Sequence, residues 1–233
     1  MRSPTVTPKL QQIAAQAARD PARVFTTLAH LMDRDVLQEA SHQTSQASTP
    51  GIDGLTAQPY AEHLGEPLGD LDERLHSGHS QAPPVERVWL DKDDGKQRPI
   101  GKPTCEDKIV QRAVVMLWEV IDAQDFCDSS YGFRQGRSPH DALHEVRERC
   151  MMEGIGWIVD ADVGADFDSR DKTRLRDILR KRVKDGSIMR LIGKWLRAGG
   201  MEEGALTYPE TGVFQGGVTT PRVGAPRSGP CCP

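Results

Sequence analysis

The chain has 233 residues, 37% of them hydrophobic, enough for one large domain or two small ones with a real core, and its composition is not that of a disordered segment. A formal net charge of -4, from 30 Lys+Arg and 34 Asp+Glu, weighs against a uniformly basic nucleic-acid binder, although the distribution of charge matters more than its total. With no run of about eighteen apolar residues, and no apolar signal-peptide core between Met1 and Arg19, membrane insertion and secretion are not expected and a cytoplasmic setting is the default.

Residues Lys9 to Ala40 have helical periodicity, through Leu10, Ile13, Ala14 and Ala17 and then Val24, Leu28, Leu31 and Met32. A break near Asp20-Pro21 divides this stretch into two helices. Ser41 to Pro50 reads as a loop, and Gly51-Ile52-Asp53-Gly54 as a turn. A helical stretch follows through Tyr60, Leu64, Leu68, Leu71 and Leu75, ended by Pro83-Pro84. Val85 to Leu90 alternates as a strand does. The Asp94-Gly95 signature then predicts a hairpin connection that returns through Arg98-Pro99-Ile100. Thr104 and Asp107 predict a capped helix with an apolar stripe of Ile109, Ala113, Met116, Leu117, Val120 and Ile121.

A polar-aromatic loop over Ser129 to Ser138 leads to a further helix through Ala142, Leu143 and Val146. Trp157 to Val163 reads as a buried strand. Leu175, Ile178, Leu179 and Val183 make an amphipathic stripe ending near Gly186, and Ser187 is the expected cap of a last helix through Ile188, Leu191, Ile192, Trp195 and Leu196. Arg170 to Arg197 carries eleven Lys/Arg against three Asp/Glu. A solvated helix face and a phosphate-binding patch are both open readings. The cysteines Cys105, Cys127, Cys150, Cys231 and Cys232 form no CxxC pair and have no histidine at zinc spacing, so reduced, mostly buried thiols are expected.

Alternation along Trp157 to Val163 puts Ile158, Asp160 and Asp162 on one face. Buried carboxylates are costly unless paired or metal-bound. With Asp166 and Asp168 just beyond, the pair suits a divalent cation such as Mg²⁺. On spacing alone, an acidic strand end paired with the following basic helix is the foremost alternative.

Seven segments, in order, resemble the bacterial group II intron reverse transcriptase/maturases. They are Phe25 to His30, Thr49 to Gly54, Lys92 through Arg98-Pro99-Ile100-Gly101, Glu106-Asp107-Lys108, Ser130 to Arg134, Gly136-Arg137-Ser138, and Gln215-Gly216-Gly217. The match runs from about Val24 to Pro221. It implies an α/β (α+β) fold of reverse-transcriptase fingers and a partial right-hand palm behind an N-terminal helical extension. The expected divisions are 1–48 for the extension and linker, 49–150 for the fingers, 151–221 for the partial palm, and 222–233 for a tail outside the family.

The resemblance also implies roles. Asp162 corresponds to the first metal-binding and catalytic aspartate, with the Val163 carbonyl as a further metal ligand. Lys92 and Arg98 correspond to the residues that hold the incoming triphosphate, one as a point charge and the other as a bidentate fork. Phe167 stands where the nucleotide sugar is tested, and Gln215, Gly216 and Gly217 where a loop lies against the template and nascent pair. Arg134 and Arg137 fall in a motif that contacts RNA, with a structural ion pair an equal alternative for each. The implied reaction is Mg²⁺-dependent nucleotidyl transfer copying RNA into DNA, and the implied partners are intron RNA and an RNA template with a DNA primer.

The chain departs from the family in several places. No Tyr-x-Asp-Asp follows Gln215-Gly216-Gly217, and Arg222 to Pro233 is rich in Gly, Pro, Arg and Cys with no helical stripe. Such a tail is what a GC-rich gene gives when read out of frame, so a frameshift near Pro221 is expected and the vicinal cysteines are read as accidental. Gly164, Asp166, Gln135 and Val213-Phe214 replace the usual basic residue, aromatic, proline and Thr-Pro. The chain as it stands is expected to be inactive as a polymerase. The alternatives are a non-catalytic intron-RNA-binding remnant and a non-functional product.

Overall fold

The computed structural model describes residues 6–44, 49–55, 65–91, 95, 97–161, 171–208, 212 and 216–218. Its first two helices, α1 (Val6–Arg19) and α2 (Arg34–Gln43), bury Val6, Leu10, Ile13 and Ala17 on one and Val36, Leu37 and Ala40 on the other. The second begins later than its apolar spacing suggests, because the Asp33 side chain accepts from Val36 N and caps it there. Before that cap the chain is irregular apart from a 3₁₀ turn at Ala29–Leu31, and Phe25 forms an isolated parallel bridge with Val183. Phe25, Leu28 and Met32 are buried all the same. Their spacing reports burial rather than helix.

Helix α3 (Gly65–His76) buries Leu68 and Leu71. Strands β1 (Val85–Asp91) and β2 (Gln97–Lys102) form the expected antiparallel hairpin, with Val88 opposite Ile100 and Leu90 opposite Arg98. β2 lies at the sheet edge, the place where Pro99, which has no N–H to give a ladder, is tolerated. Helix α4 (Cys105–Asp122) starts as predicted, with Thr104 Oγ1 accepting from Asp107 N at 3.3 Å. It is the central element: Ile109, Val110, Ala113, Met116, Leu117 and Ile121 are all buried. Cys105 is a buried free thiol and Cys150 a half-buried one, but Cys127 is disulfide-bonded, which departs from the reduced set expected.

Helix α5 (Pro139–Met152) has a full capping box between Ser138 and Asp141 and Pro139 in its first turn, yet none of its residues is buried. Helices α6 (Lys172–Arg180) and α7 (Gly186–Arg197) follow the apolar stripes read from sequence, with Leu175 and Leu179, then Ile188, Met189 and Ile192, buried. The cap of α7 is Asp185 rather than Ser187: its carboxylate accepts from Ser187 N at 2.9 Å and Ile188 N at 3.1 Å. A short hairpin of β3 (Gly200–Glu202) and β4 (Ala205–Thr207) completes a four-stranded mixed sheet in the order β2-β1-β3-β4, with β1 and β3 parallel.

The fold is thus mixed α/β, as expected, but the strand expected from Trp157 is not seen over its described residues. Residues 155–161 have no regular structure, and Trp157 is 92% and Val159 90% exposed. Alternation makes a strand only when the backbone finds a neighbouring strand and one face finds a core. No described strand pairs with this segment. The described part of the expected palm is instead α6, α7 and the β3–β4 hairpin. One core cluster joins Leu10, Leu37, Leu71, Ile109, Leu179 and Ile188, so it runs across the sequence divisions at 48 and 150.

Candidate nucleic-acid interface

The hairpin β1–β2 and the turn at Gly216 bring two distant motifs together. Arg98, Ile100 and Lys102 alternate onto one face of β2, and Arg98 is exposed at the hairpin end. Gly216 has φ 104, and a Cβ built on it would lie 2.7 Å from both Gly101 O and Ile100 Cγ2. Only glycine fits that approach. The Gly216 turn therefore rests on β2, on the side where Arg98 projects, and Gly217 beside it is half-buried. Lys92, Asp162, Val163, Phe167 and Gln215 lie outside the described residues. Of the expected site, Gly216 is brought against β2 at Ile100 and Gly101, two and three residues along the chain from Arg98.

Arg134 and Arg137 are placed elsewhere, in the loop before α5. Arg134 Nη1 donates to Cys127 O at 2.7 Å and Ser130 O at 3.0 Å, and its guanidinium stands 5.3 Å from the centre of the Phe126 ring. Arg137 Nη1 donates to Asp128 O at 2.8 Å and stacks 4.9 Å from the centre of Tyr131, whose hydroxyl donates to Glu145 of α5. Both arginines tie their own loop. Within the Ser130 to Arg134 motif, Phe133 is given no role of its own from the sequence, yet it is 67% exposed and its φ is 55. A bulky residue holds that backbone conformation only where its surroundings fix it. Its signal in the sequence is an aromatic set between Gly132 and Arg134.

The Glu106-Asp107-Lys108 motif is structural. Asp107 is buried, accepts from Trp195 Nε1 of α7 at 3.2 Å, and is pushed up to about 7, chiefly by burial, with the Trp195 hydrogen bond opposing and nearby Glu106 and Asp53 reinforcing it. Lys108 Nζ donates to Thr49 O at 2.5 Å and holds the 49–55 loop on α4. Burial lowers the pKa of its ammonium.

The basic tract from 170 to 197 divides when seen in three dimensions. Arg182 is buried; its Nη1 donates to Pro21 O at 2.5 Å and Arg23 O at 2.8 Å, while Nε lies 2.8 Å from Asp125 Oδ2, in ion-pair range but off hydrogen-bond alignment. Arg180 pairs with Asp177 at 3.3 Å. Arg174, Lys181, Arg190 and Arg197 are exposed. At the C-terminal end of α7, Lys194 and Arg197 border an open groove of about 480 Å³ that also holds His79, Ser80, Gln81 and Tyr208.

Among the described residues no three His, Cys, Asp or Glu side chains are placed to hold a metal ion, and no helix is long and apolar enough to cross a membrane.

The family described as reverse transcriptase (RNA-dependent DNA polymerase) matches residues 90–223. Protein YkfC of Escherichia coli (strain K12) is 36% identical over 218 residues, which cover 91% of this chain and 57% of YkfC. The group II intron-encoded protein LtrA of Lactococcus lactis subsp. cremoris is 32% identical over 217 residues, covering 91% of this chain and 35% of LtrA. A chain of a solved Cas6-RT-Cas1–Cas2 complex is similar over 83% of this chain and 32% of its own length, with 18% identity and a TM-score of 0.49. The chain thus spans 57% of one curated relative and 35% of the other.

Proposed function

This chain belongs to the group II intron reverse transcriptase family, and on that premise we propose that it holds intron RNA and template on its fingers surface. The observation that carries this reading is the contact between the Gly216 turn and β2, which puts the exposed Arg98 and the glycine loop on one side of the hairpin. A cationic fork beside a loop whose backbone is bare of side chains suits close approach of a sugar-phosphate chain.

The family's chemistry is Mg²⁺-dependent nucleotidyl transfer, in which the metal would activate the primer hydroxyl and neutralise phosphoryl charge. Asp162 and the Val163 carbonyl are the residues that would hold such an ion here. The described residues alone do not make that site, and no catalytic step is derived through it.

The test is RNA affinity of the purified chain, titrated against salt. Binding should weaken with salt along a straight log–log line, about 0.7 per phosphate contacted for a single strand. RNA affinity no better than that of an acidic control protein would overturn it.

A further inference from the structure

The groove at the C-terminal end of α7 has a composition unlike the rest of this acidic chain. Among the described residues its lining includes Lys194, Arg197 and His79 and contains no carboxylate. Lys194 Nζ donates to Gly78 O at 3.2 Å and to Ser80 O, which pins the ammonium into the wall of the groove. Arg197 is exposed. Its guanidinium and that of Arg176 both flank Gly193, at 3.7 Å and 3.9 Å from the position a Cβ there would take.

Tyr208 closes one side. It follows β4, and its ring is held by the backbone of β3's approach: a Cβ on Gly199 would lie 3.0 Å from Tyr208 Cε1 and 2.9 Å from Thr207 O. The absence of a side chain at 199 is what lets the ring lie there, and the ring remains 66% exposed. A fixed, exposed aromatic face beside two permanent cations is the arrangement by which single-stranded nucleic acid is held, with a base on the ring and phosphates on the cations.

We infer that this groove is a binding site for single-stranded RNA, with one base stacked on Tyr208 and the adjoining phosphate held by Arg197 and Lys194. Its volume of about 480 Å³ has room for a base and its phosphate rather than for a duplex. Ser80 and Gln81 supply hydrogen-bonding groups in the same wall. An acidic peptide would satisfy the cations but leave the ring without a partner, so the ring decides for a nucleic acid. This site rests on the RNA-binding reading above and adds to it a location away from β2 and the Gly216 turn.

The experiment is fluorescence anisotropy of a labelled short oligouridine with the full 233-residue chain, comparing the parent with Tyr208→Ala, Tyr208→Phe and Arg197→Ala, and with poly-glutamate as competitor. Tyr208→Ala should weaken binding roughly fivefold to a hundredfold, and Tyr208→Phe, which keeps the ring, should not. Arg197→Ala should lower the salt slope by about 0.7. Circular dichroism melts of the variants, all at exposed positions, should match the parent. If the parent binds RNA and Tyr208→Ala binds equally well, the groove is not the site while the RNA-binding reading stands. If the parent itself does not bind RNA, both fall. If poly-glutamate displaces the RNA as well as unlabelled oligouridine does, the groove reads charge alone and the stacking assignment fails.

Discussion

Burial pushes the Asp107 carboxyl up to about 7, and only the Trp195 indole N–H opposes that effect. A proton is then held more tightly in the folded chain than in the unfolded one, where an aspartate titrates near 3.9. Below about pH 4 both states are protonated and the side chain is fully stabilising. As pH rises from there through about 7 the folded state must give up a proton that the unfolded state has already lost, and stability falls by up to about 4 kcal/mol. Urea unfolding midpoints should therefore decrease between pH 5 and pH 8. Asp107→Asn keeps an oxygen for Trp195 and has nothing to ionise, so its midpoint should be nearly flat over that range. A parent profile as flat as that of Asp107→Asn would refute the assignment.

A second acid, Asp185, sets the start of an element rather than a pH response near neutrality. Burial opposes its charge, but N–H donors from Ala29, Leu28, Ile188 and Ser187 outweigh it and hold the carboxyl below the ordinary range. Two of those donors belong to the first turn of α7, and Leu28 N at 2.6 Å and Ala29 N at 2.9 Å belong to the N-terminal segment. Removing the carboxylate uncaps the helix and strands two further N–H groups, one of them buried. Asp185→Ala should cost about 3 kcal/mol in urea unfolding at pH 7, and the contribution it removes should fade in the parent as pH drops through the carboxylate range. A loss no greater than that of an exposed cap, about 1 kcal/mol, would show that the tie to Leu28 and Ala29 carries nothing. That tie was not legible in the sequence, since a cap is a local signal and the tie joins segments far apart in the chain. The same division explains what else was readable. The β1–β2 hairpin and the helices α4, α6 and α7 follow from spacing, turns and caps within their own stretch of chain. The β3–β4 hairpin and its parallel pairing with β1 depend on distant backbone, as would a strand at Trp157, where alternation alone misled. At the site, Arg98 and Gly216 were legible as motifs, whereas Tyr208, Arg197 and His79 share a groove only through the fold.

Among the described residues, burial is concentrated on one cluster with α4 at its centre, and α5 stands outside it. Buried positions run along nearly the full length of α4, while Leu143, Val146, Met151 and Met152 on α5 are exposed. What holds α5 is local: the Ser138–Asp141 capping box, Tyr131 donating to Glu145, and the Glu145–Arg149 pair at 2.9 Å. Such links are worth a few tenths to about 1 kcal/mol each in solvent, far below the free energy of opening a packed core. Local opening should therefore free α5 without unfolding the rest. In native-state hydrogen exchange the amides of α4 should be the slowest, exchanging only through global unfolding, and their rates should rise with urea in step with the midpoint shifts of Asp107→Asn and Asp185→Ala. Amides of α5 should exchange much faster and respond little to urea, because opening one exposed helix uncovers little surface. Protection of α5 equal to that of α4 would mean that its exposed apolar side chains are covered in solution, and would move the boundary of the cooperative unit to include it.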